Sequence, residues 1–257
     1  MKIAVSGKGG SGKTTLTGML ARIMARSGHR VLAIDADPNP NMAIAMGVPR
    51  ERAETLRVIP RDMAHWEEDD NGQPFVKLQK PLAQIAAEYG VIAPDGIRLL
   101  VTGQITEAGA GCMCQPHTIA RGLMANVGDW ADFILTDMEA GLEHLSRGTT
   151  EHADVMLVVV EPYYRSLDTG ARAAGLARAL GIPNIFFVAN KLRTETERQA
   201  VKELADKKGI ELIALIPHDE GFPEADRLGL APLDFAPHSP AVQEIARLAQ
   251  KLEARAA

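Results

Sequence analysis

Eight consecutive residues, Gly7-Lys8-Gly9-Gly10-Ser11-Gly12-Lys13-Thr14, carry the strongest chemical signal in the chain. An apolar run, Ile3 to Val5, leads into them, and a helix-like stretch, Leu16 to Ala25, follows. This is G-x-x-x-x-G-K-T in its strand–loop–helix setting. A triphosphate presents many oxygens in a small space, and backbone N–H groups pack densely enough to meet them. Gly7, Gly9, Gly10 and Gly12 are expected to take positive φ and bring the backbone close. The N-terminus of the following helix adds positive partial charge. Lys13 is expected on the β- and γ-phosphates and the Thr14 hydroxyl on Mg²⁺. Gly9, Gly10, Ser11, Gly12, Lys13, Thr14 and Thr15 form the expected phosphate-binding set. A glycine-rich turn merely linking strand to helix is the plain alternative; motif, position and context together favour the phosphate loop.

A second lysine, Lys8, follows the first glycine. One loop lysine suffices to hold nucleotide, so a second cation is most useful across an interface, on the phosphates of a twin subunit, as an arginine finger acts in trans. Carboxylates come next. The second apolar strand ends Ile34-Asp35-Ala36-Asp37-Pro38, and acids at the C-terminal end of a parallel strand face the ligand crevice. Asp37 is placed to orient an attacking water and Asp35 to touch the Mg²⁺ shell. A helix cap before a proline turn accounts for one aspartate but not two. Asp137 closes another apolar run, Ile134-Leu135-Thr136, as a Mg²⁺-shell aspartate does.

Asn190-Lys191 follows a further apolar strand. An asparagine amide both donates and accepts, which suits an adenine edge. Arg193 stands where guanine-binding proteins place an aspartate, so ATP, with its product ADP, is the expected nucleotide.

Both cysteines of the chain, Cys112 and Cys114, fall in one C-x-C unit, Gly111-Cys112-Met113-Cys114-Gln115-Pro116-His117. In an extended segment alternate side chains face the same way, giving two thiolates for one metal. A two-fold dimer would double the set to four, enough for Zn²⁺, Ni²⁺ or a small iron–sulfur cluster. His117 is an alternative local third ligand. Two incidental thiols or a redox pair are the plain reading, against which stand the strain of a C-x-C disulfide and cytosolic reduction.

Strands are expected at 2–6, 30–34, 98–101, 133–136, 155–160, 184–189 and 212–216. Amphipathic stretches lie at 16–27, 166–180 and 195–208, and a closing helix at 240–255. The alternation predicts one α/β domain over 1–257, a P-loop NTPase fold. Its mostly parallel sheet should have about seven or eight strands with helices on both faces. Residues from about 49 to 94 break the rhythm and read as an insertion. They include a polar turn or hairpin at Trp66–Gly72, and the insertion is taken as a solvated excursion in preference to a partner site.

The 257 residues carry a net charge of −5 with no long basic tract, which disfavours bulk nucleic-acid binding. No apolar run is long enough to span a membrane, the first strand leaves no room for a signal peptide, and two cysteines make no disulfide framework. A cytoplasmic protein is expected.

Gly-Lys-Gly-Gly-x-Gly-Lys-Thr is the deviant Walker A signature, and the chain resembles the MinD/ParA/nitrogenase-iron-protein class of dimeric ATPases. That resemblance implies that Lys8 reaches the partner's nucleotide, that Asp35-Ala36-Asp37-Pro38 is switch I with Asp37 linked to water activation, and that Asp137-Met138-Glu139-Ala140-Gly141 is switch II. Relatives usually carry glycine or proline where Glu139 stands, so Glu139 is either a surface charge or faces a partner. Ile216-Pro217-His218-Asp219 resembles the loop lining the adenine in that class. With C-x-C added, and with Gly141-Leu142-Glu143-His144-Leu145-Ser146-Arg147-Gly148-Thr149 and Val160-Glu161-Pro162, the chain looks like the CooC-type maturation ATPases. This implies an ATP-hydrolysing homodimeric metallochaperone serving nickel insertion into carbon monoxide dehydrogenase or acetyl-CoA synthase. Rival readings are an iron–sulfur carrier or electron-transfer ATPase like the nitrogenase iron protein, and, with less support, a positioning ATPase.

Overall fold

The computed structural model describes residues 1–103 and 114–256. Its strands are β1 (Lys2–Gly7), β2 (Val31–Ala36), β3 (Ala64–Glu68), β4 (Pro74–Leu78), β5 (Val91–Ile92), β6 (Arg98–Val101), β7 (Phe133–Met138), β8 (Val155–Val160), β9 (Asn184–Leu192) and β10 (Glu211–Pro217). The α-helices are α1 (Lys13–Arg26), α2 (Met42–Ala45), α3 (Arg50–Ala53), α4 (Leu82–Tyr89), α5 (Cys114–Ala125), α6 (Glu143–Ser146), α7 (Tyr164–Ala179), α8 (Glu195–Lys208), α9 (Gly221–Arg227), α10 (Pro232–Phe235) and α11 (Pro240–Ala256).

Eight strands form one sheet in the order β10-β9-β8-β1-β7-β2-β6-β5. Every pairing is parallel except β5 with β6. Both faces are covered, so the central strands are apolar throughout rather than alternating. Ile3 and Val5 of β1 pack with Leu20 of α1 and Ile245 and Leu248 of α11. Ala4, between them, belongs to the opposite face with Ile119 and Leu123 of α5. On that same side Val158 and Phe187 pack against Ala173 of α7 and Val201 of α8.

Local signals set several element ends. Thr194 and Glu197 cap α8 reciprocally, each side chain accepting from the other's backbone N–H, and Gly209 closes the helix in the left-handed region. The strands run further than expected at the site. β2 continues through Asp35 to Ala36, and β7 through Asp137 to Met138, because the two strands pair side by side with Asp35 opposite Asp137. Neighbouring ladders thus carry strand geometry into the acidic residues.

The segment 49–94 is not a solvated excursion. It does contain the expected hairpin, β3 against β4. Ile59, Met63, Val76, Leu82 and Ile85 are buried in the core with α5. Leu78 and Val76 approach Gly122 of α5 so closely that a Cβ there would lie 2.9 Å from each. Helix α5 itself was not anticipated. Cys114 opens it, so Cys114 does not continue an extended segment, and Cys112 lies outside the described residues.

Candidate functional site

The site forms where β1, β7 and β2 end side by side. Gly7, Gly10 and Gly12 take positive φ (150°, 79° and 95°), as the phosphate-loop reading requires, whereas Gly9 does not. A Cβ on Gly7 would sit 2.4 Å from the Val159 carbonyl oxygen of neighbouring β8, and one on Gly12 would sit 2.4 Å from Asn190 Nδ2. Gly12 is the residue before α1, and no side chain caps that helix. Its first-turn N–H groups therefore stay available to an anion.

Lys13 is buried, with Nζ turned back along the loop to the Lys8 carbonyl at 3.4 Å. The Thr14 hydroxyl donates to Asp137 Oδ2 at 2.5 Å. The other carboxylate oxygen of Asp137 is buried and has no hydrogen-bond partner among the described residues. Asp35, in register beside it, accepts from the N–H of Met42 at 3.0 Å and of Asp37 at 3.2 Å. Burial raises the Asp35 carboxyl to about 7 and holds Asp137 well above the carboxylate range, where the charge of Asp35 pushes it further. Two buried acids, one with an orphaned oxygen, lie against a threonine hydroxyl and an uncapped helix start. That donor set fits a hard cation, which Thr14, Asp35 and Asp137 would hold. Asp37 is half-buried at the mouth and accepts from the Asn39 N–H at 2.8 Å.

Asn190 and Lys191 face the phosphate loop. Asn190 Nδ2 donates to the Ser11 carbonyl at 2.8 Å, while its Oδ1 accepts from the Lys191 N–H at 2.9 Å. Lys191 Nζ donates to the Gly10 carbonyl at 2.5 Å and pairs with Glu161 at 3.0 Å. Its φ of 61° is unusual for a residue with a side chain. Both residues also line a cavity of about 660 Å³ that runs from Gly10–Thr15 past Pro217, His218 and Asp219 to Phe222. This volume suits a small-molecule ligand such as a nucleotide. In the loop expected to line the base, His218 Nε2 lies 2.8 Å from Glu220, and Asp219 accepts from the Gly221 N–H.

Three features escaped sequence reasoning. Lys8 Nζ lies 5.0 Å from the centre of the Tyr163 ring, and the Tyr163 hydroxyl donates to Glu161 at 2.7 Å. His117 is buried, with Nε2 3.0 Å from Glu139. Glu139 is therefore neither a bare surface charge nor turned wholly outward. Phe222 supplies an apolar wall. Lys8, His117, Glu139 and Glu161 each had a local signal in sequence, but their contacts did not, and Tyr163 and Phe222 had none. Among the described residues no group of three or more His, Cys, Asp or Glu could hold a metal ion. The thiolate site expected at Cys112 and Cys114 falls partly outside the described residues. No described helix is long and apolar enough to cross a membrane.

Residues 2–233 match the model of the CobQ/CobB/MinD/ParA nucleotide-binding domain. The carbon monoxide dehydrogenase accessory protein CooC of Rhodospirillum rubrum is 41% identical over 243 residues, spanning 92% of this chain and 91% of that one. An uncharacterized ATP-binding protein of Methanocaldococcus jannaschii is 35% identical, over 89% of this chain and 90% of its own. In fold, the chain is similar to the septum site-determining protein MinD of Pyrococcus horikoshii in complex with Mg-ADP. The TM-score is 0.76 at 20% identity, covering 99% and 96% of the two chains.

Proposed function

This chain belongs to the CobQ/CobB/MinD/ParA nucleotide-binding family and to its CooC-type ATPases, and from that premise we propose that it is an ATP-hydrolysing metallochaperone. It would assist nickel insertion into carbon monoxide dehydrogenase or a related nickel enzyme. The observation that carries the ATPase part is the Thr14–Asp137 contact beside an orphaned, buried carboxylate oxygen at the foot of an uncapped helix. Lys13 and the loop amides bind the β- and γ-phosphates. Mg²⁺, when bound, neutralises charge developing on the phosphates. Thr14 would hold it, with Asp35 and Asp137 supporting. Asp37 orients water toward the γ-phosphate. Lys8 acts on the nucleotide of a second subunit. Thr15, Pro217, His218 and Asp219 line the nucleotide cavity, while Asn190 and Lys191 brace the loop from the base side.

Cys112 and Cys114 would supply two thiolates per subunit, and a two-fold dimer four, to carry Ni²⁺ or Zn²⁺. The position of Cys114 at the start of α5, a helix packed on the sheet that carries the phosphate loop, supports a link between nucleotide and metal. Such coupling is reciprocal: if ATP favours metal, metal favours the ATP-bound dimer. The R. rubrum relative's role as a carbon monoxide dehydrogenase accessory protein supports that client.

Anaerobic titration with Ni²⁺ and Zn²⁺ tests the reading, with size-exclusion on the same samples, without nucleotide, with ADP and with a non-hydrolysable ATP analogue. We expect about one metal per dimer, sensitive to nucleotide and lost in Cys112→Ser/Cys114→Ser. Tight nucleotide binding without cysteine-dependent metal would leave a dimeric ATPase and remove the metallochaperone role.

A further inference from the structure

Four side-chain and backbone contacts, with the chain between Lys8 and Gly10, close a ring on the phosphate loop. From the Gly10 carbonyl it runs to Lys191 Nζ, from Lys191 to Glu161 Oε1, and from Glu161 Oε2 to the Tyr163 hydroxyl. The face of Tyr163 then meets Lys8 Nζ at 5.0 Å, and Lys8 lies on the same loop two residues before Gly10. Each link is fixed by something other than Lys8. Glu161 is 9% exposed, and its backbone N–H donates to Ser166 Oγ at 3.0 Å. Tyr163 is held twice by Glu161, through its hydroxyl and through its backbone N–H on the Glu161 carbonyl at 2.8 Å. Lys191 is kept in a left-handed conformation that a side chain normally avoids, which persists only where surroundings over-determine it.

The ring of Tyr163 is thus held by two hydrogen bonds to Glu161, whereas its contact with the Lys8 side chain is through the ring face alone. A carboxylate on the phenol hydroxyl also enriches the aromatic face, which draws a cation. Tyr163 is 41% exposed, so the platform stands at the rim of the site, where a lysine leaving it enters solvent or a neighbouring protein. Lys13 already supplies the cation inside the subunit's own phosphate cradle.

We propose that Tyr163, fixed by Glu161, is a positioning residue for Lys8: it berths the Lys8 ammonium at the rim of its own subunit, and Lys8 leaves this berth when it engages the nucleotide of a second subunit. The proposal rests on the cross-subunit role given to Lys8 above. It adds a specific cost to dimerisation, the loss of one cation–π contact per subunit.

Sedimentation velocity with a saturating non-hydrolysable ATP analogue tests it, on wild type, Tyr163→Leu, Tyr163→Phe, Lys8→Ala and Lys8→Ala/Tyr163→Leu. An exposed cation–π contact is worth about two- to five-fold in an equilibrium constant, and a dimer gives up two of them. Tyr163→Leu should therefore dimerise about five- to thirty-fold more tightly than wild type, while Tyr163→Phe, which keeps the ring face, stays within about two-fold. In the Lys8→Ala background the Tyr163→Leu effect should vanish, which a role of Tyr163 in packing alone would not produce. Nucleotide affinity of the monomer should not change in Tyr163→Leu. Unchanged or weaker dimerisation of Tyr163→Leu, or an effect that persists without Lys8, overturns the berth and leaves the cross-subunit lysine standing. Dimerisation of Lys8→Ala indistinguishable from wild type overturns both.

Discussion

His117 Nε2 donates to Glu139 Oε2 at 3.0 Å, and this one contact fastens the segment after β7 to the first turn of the helix that Cys114 opens. The same segment is tied to the phosphate loop at both ends, by Thr14 on Asp137 and by the Gly141 N–H on the Gly7 carbonyl at 3.2 Å. Burial holds the His117 imidazole below its ordinary pKa, against the pull of Glu139, so the bond is that of a neutral ring to a carboxylate. Removing the acceptor strands a buried N–H. Glu139→Ala should lower stability by about 1–3 kcal/mol, read from urea unfolding, and Glu139→Gln, which still accepts through Oε1, should recover most of it.

Asp37 has no role in holding the loop closed; its side chain accepts only from the Asn39 N–H in the contacts described. Asp37→Asn keeps that turn, since an amide oxygen accepts as well. Nucleotide affinity should stay within about two-fold, while kcat for ATP hydrolysis falls by about 10²-fold or more, the range for a lost water-positioning or general-base group. A steady-state phosphate-release assay with parallel nucleotide titration separates the two. An unchanged kcat would move the water-orienting role elsewhere.

His144 is fully buried, and burial, aided by the charges of His117 and Lys13, drives its pKa down to about 3. Above the ordinary value of 6.5 both folded and unfolded chains carry it neutral. As pH falls below 6.5 only the unfolded chain gains the proton, so stability is lost progressively down to about 3, by at most about 1.4 kcal/mol per pH unit. Asp35 works the other way: its carboxyl is raised to about 7, so the nucleotide-free fold is relieved of a buried charge as pH falls through 7. The sum in the wild type mixes both signs, but the difference from His144→Leu isolates one. The urea midpoint of His144→Leu should rise relative to that of wild type as pH falls from 7 to 4.

Gly12→Ala places a Cβ 2.4 Å from Asn190 Nδ2 at φ 95°. Relief means displacing the amide that holds the Ser11 carbonyl, and with it the cradle. We expect nucleotide affinity to drop by at least about ten-fold, with an overall destabilisation of about 1–3 kcal/mol, measured by calorimetric titration and thermal unfolding.

What was legible beforehand was what is local in the chain. The phosphate loop is a single run with its strand and helix attached, and Gly7, Gly10 and Gly12 take the backbone conformations that reading demands. The acids at 35, 37 and 137 were visible as strand-end residues, but that Asp35 lies opposite Asp137 depends on β2 pairing with β7, which no spacing along the chain encodes. Helix α5 was hidden because a glycine-rich run precedes Cys114 and Pro116 follows it. Proline is tolerated in a first helical turn, where its missing N–H would have no partner anyway. The base-reading expectation for Asn190 rests on the paired donor and acceptor of an amide; in the structure the same pair braces Ser11 and Lys191. The Lys8–Tyr163 contact joins residues far apart through an aromatic face, which leaves no pattern in sequence.

β1 comes first in the chain yet sits in the middle of the sheet, between β7 and β8. Its strand neighbours are made long after it: the loop's glycines precede Asp137 and Val159 by about half the chain or more. At ~5–20 residues per second the ribosome needs roughly 8–30 s to add that stretch. Through that interval the phosphate loop has α1 beside it but neither strand neighbour of β1, an apolar strand whose two edges stay open. The motif most diagnostic of the family thus waits, after its own synthesis, for strands far downstream before its binding site is complete. This interval is when the young chain most needs shielding from its neighbours.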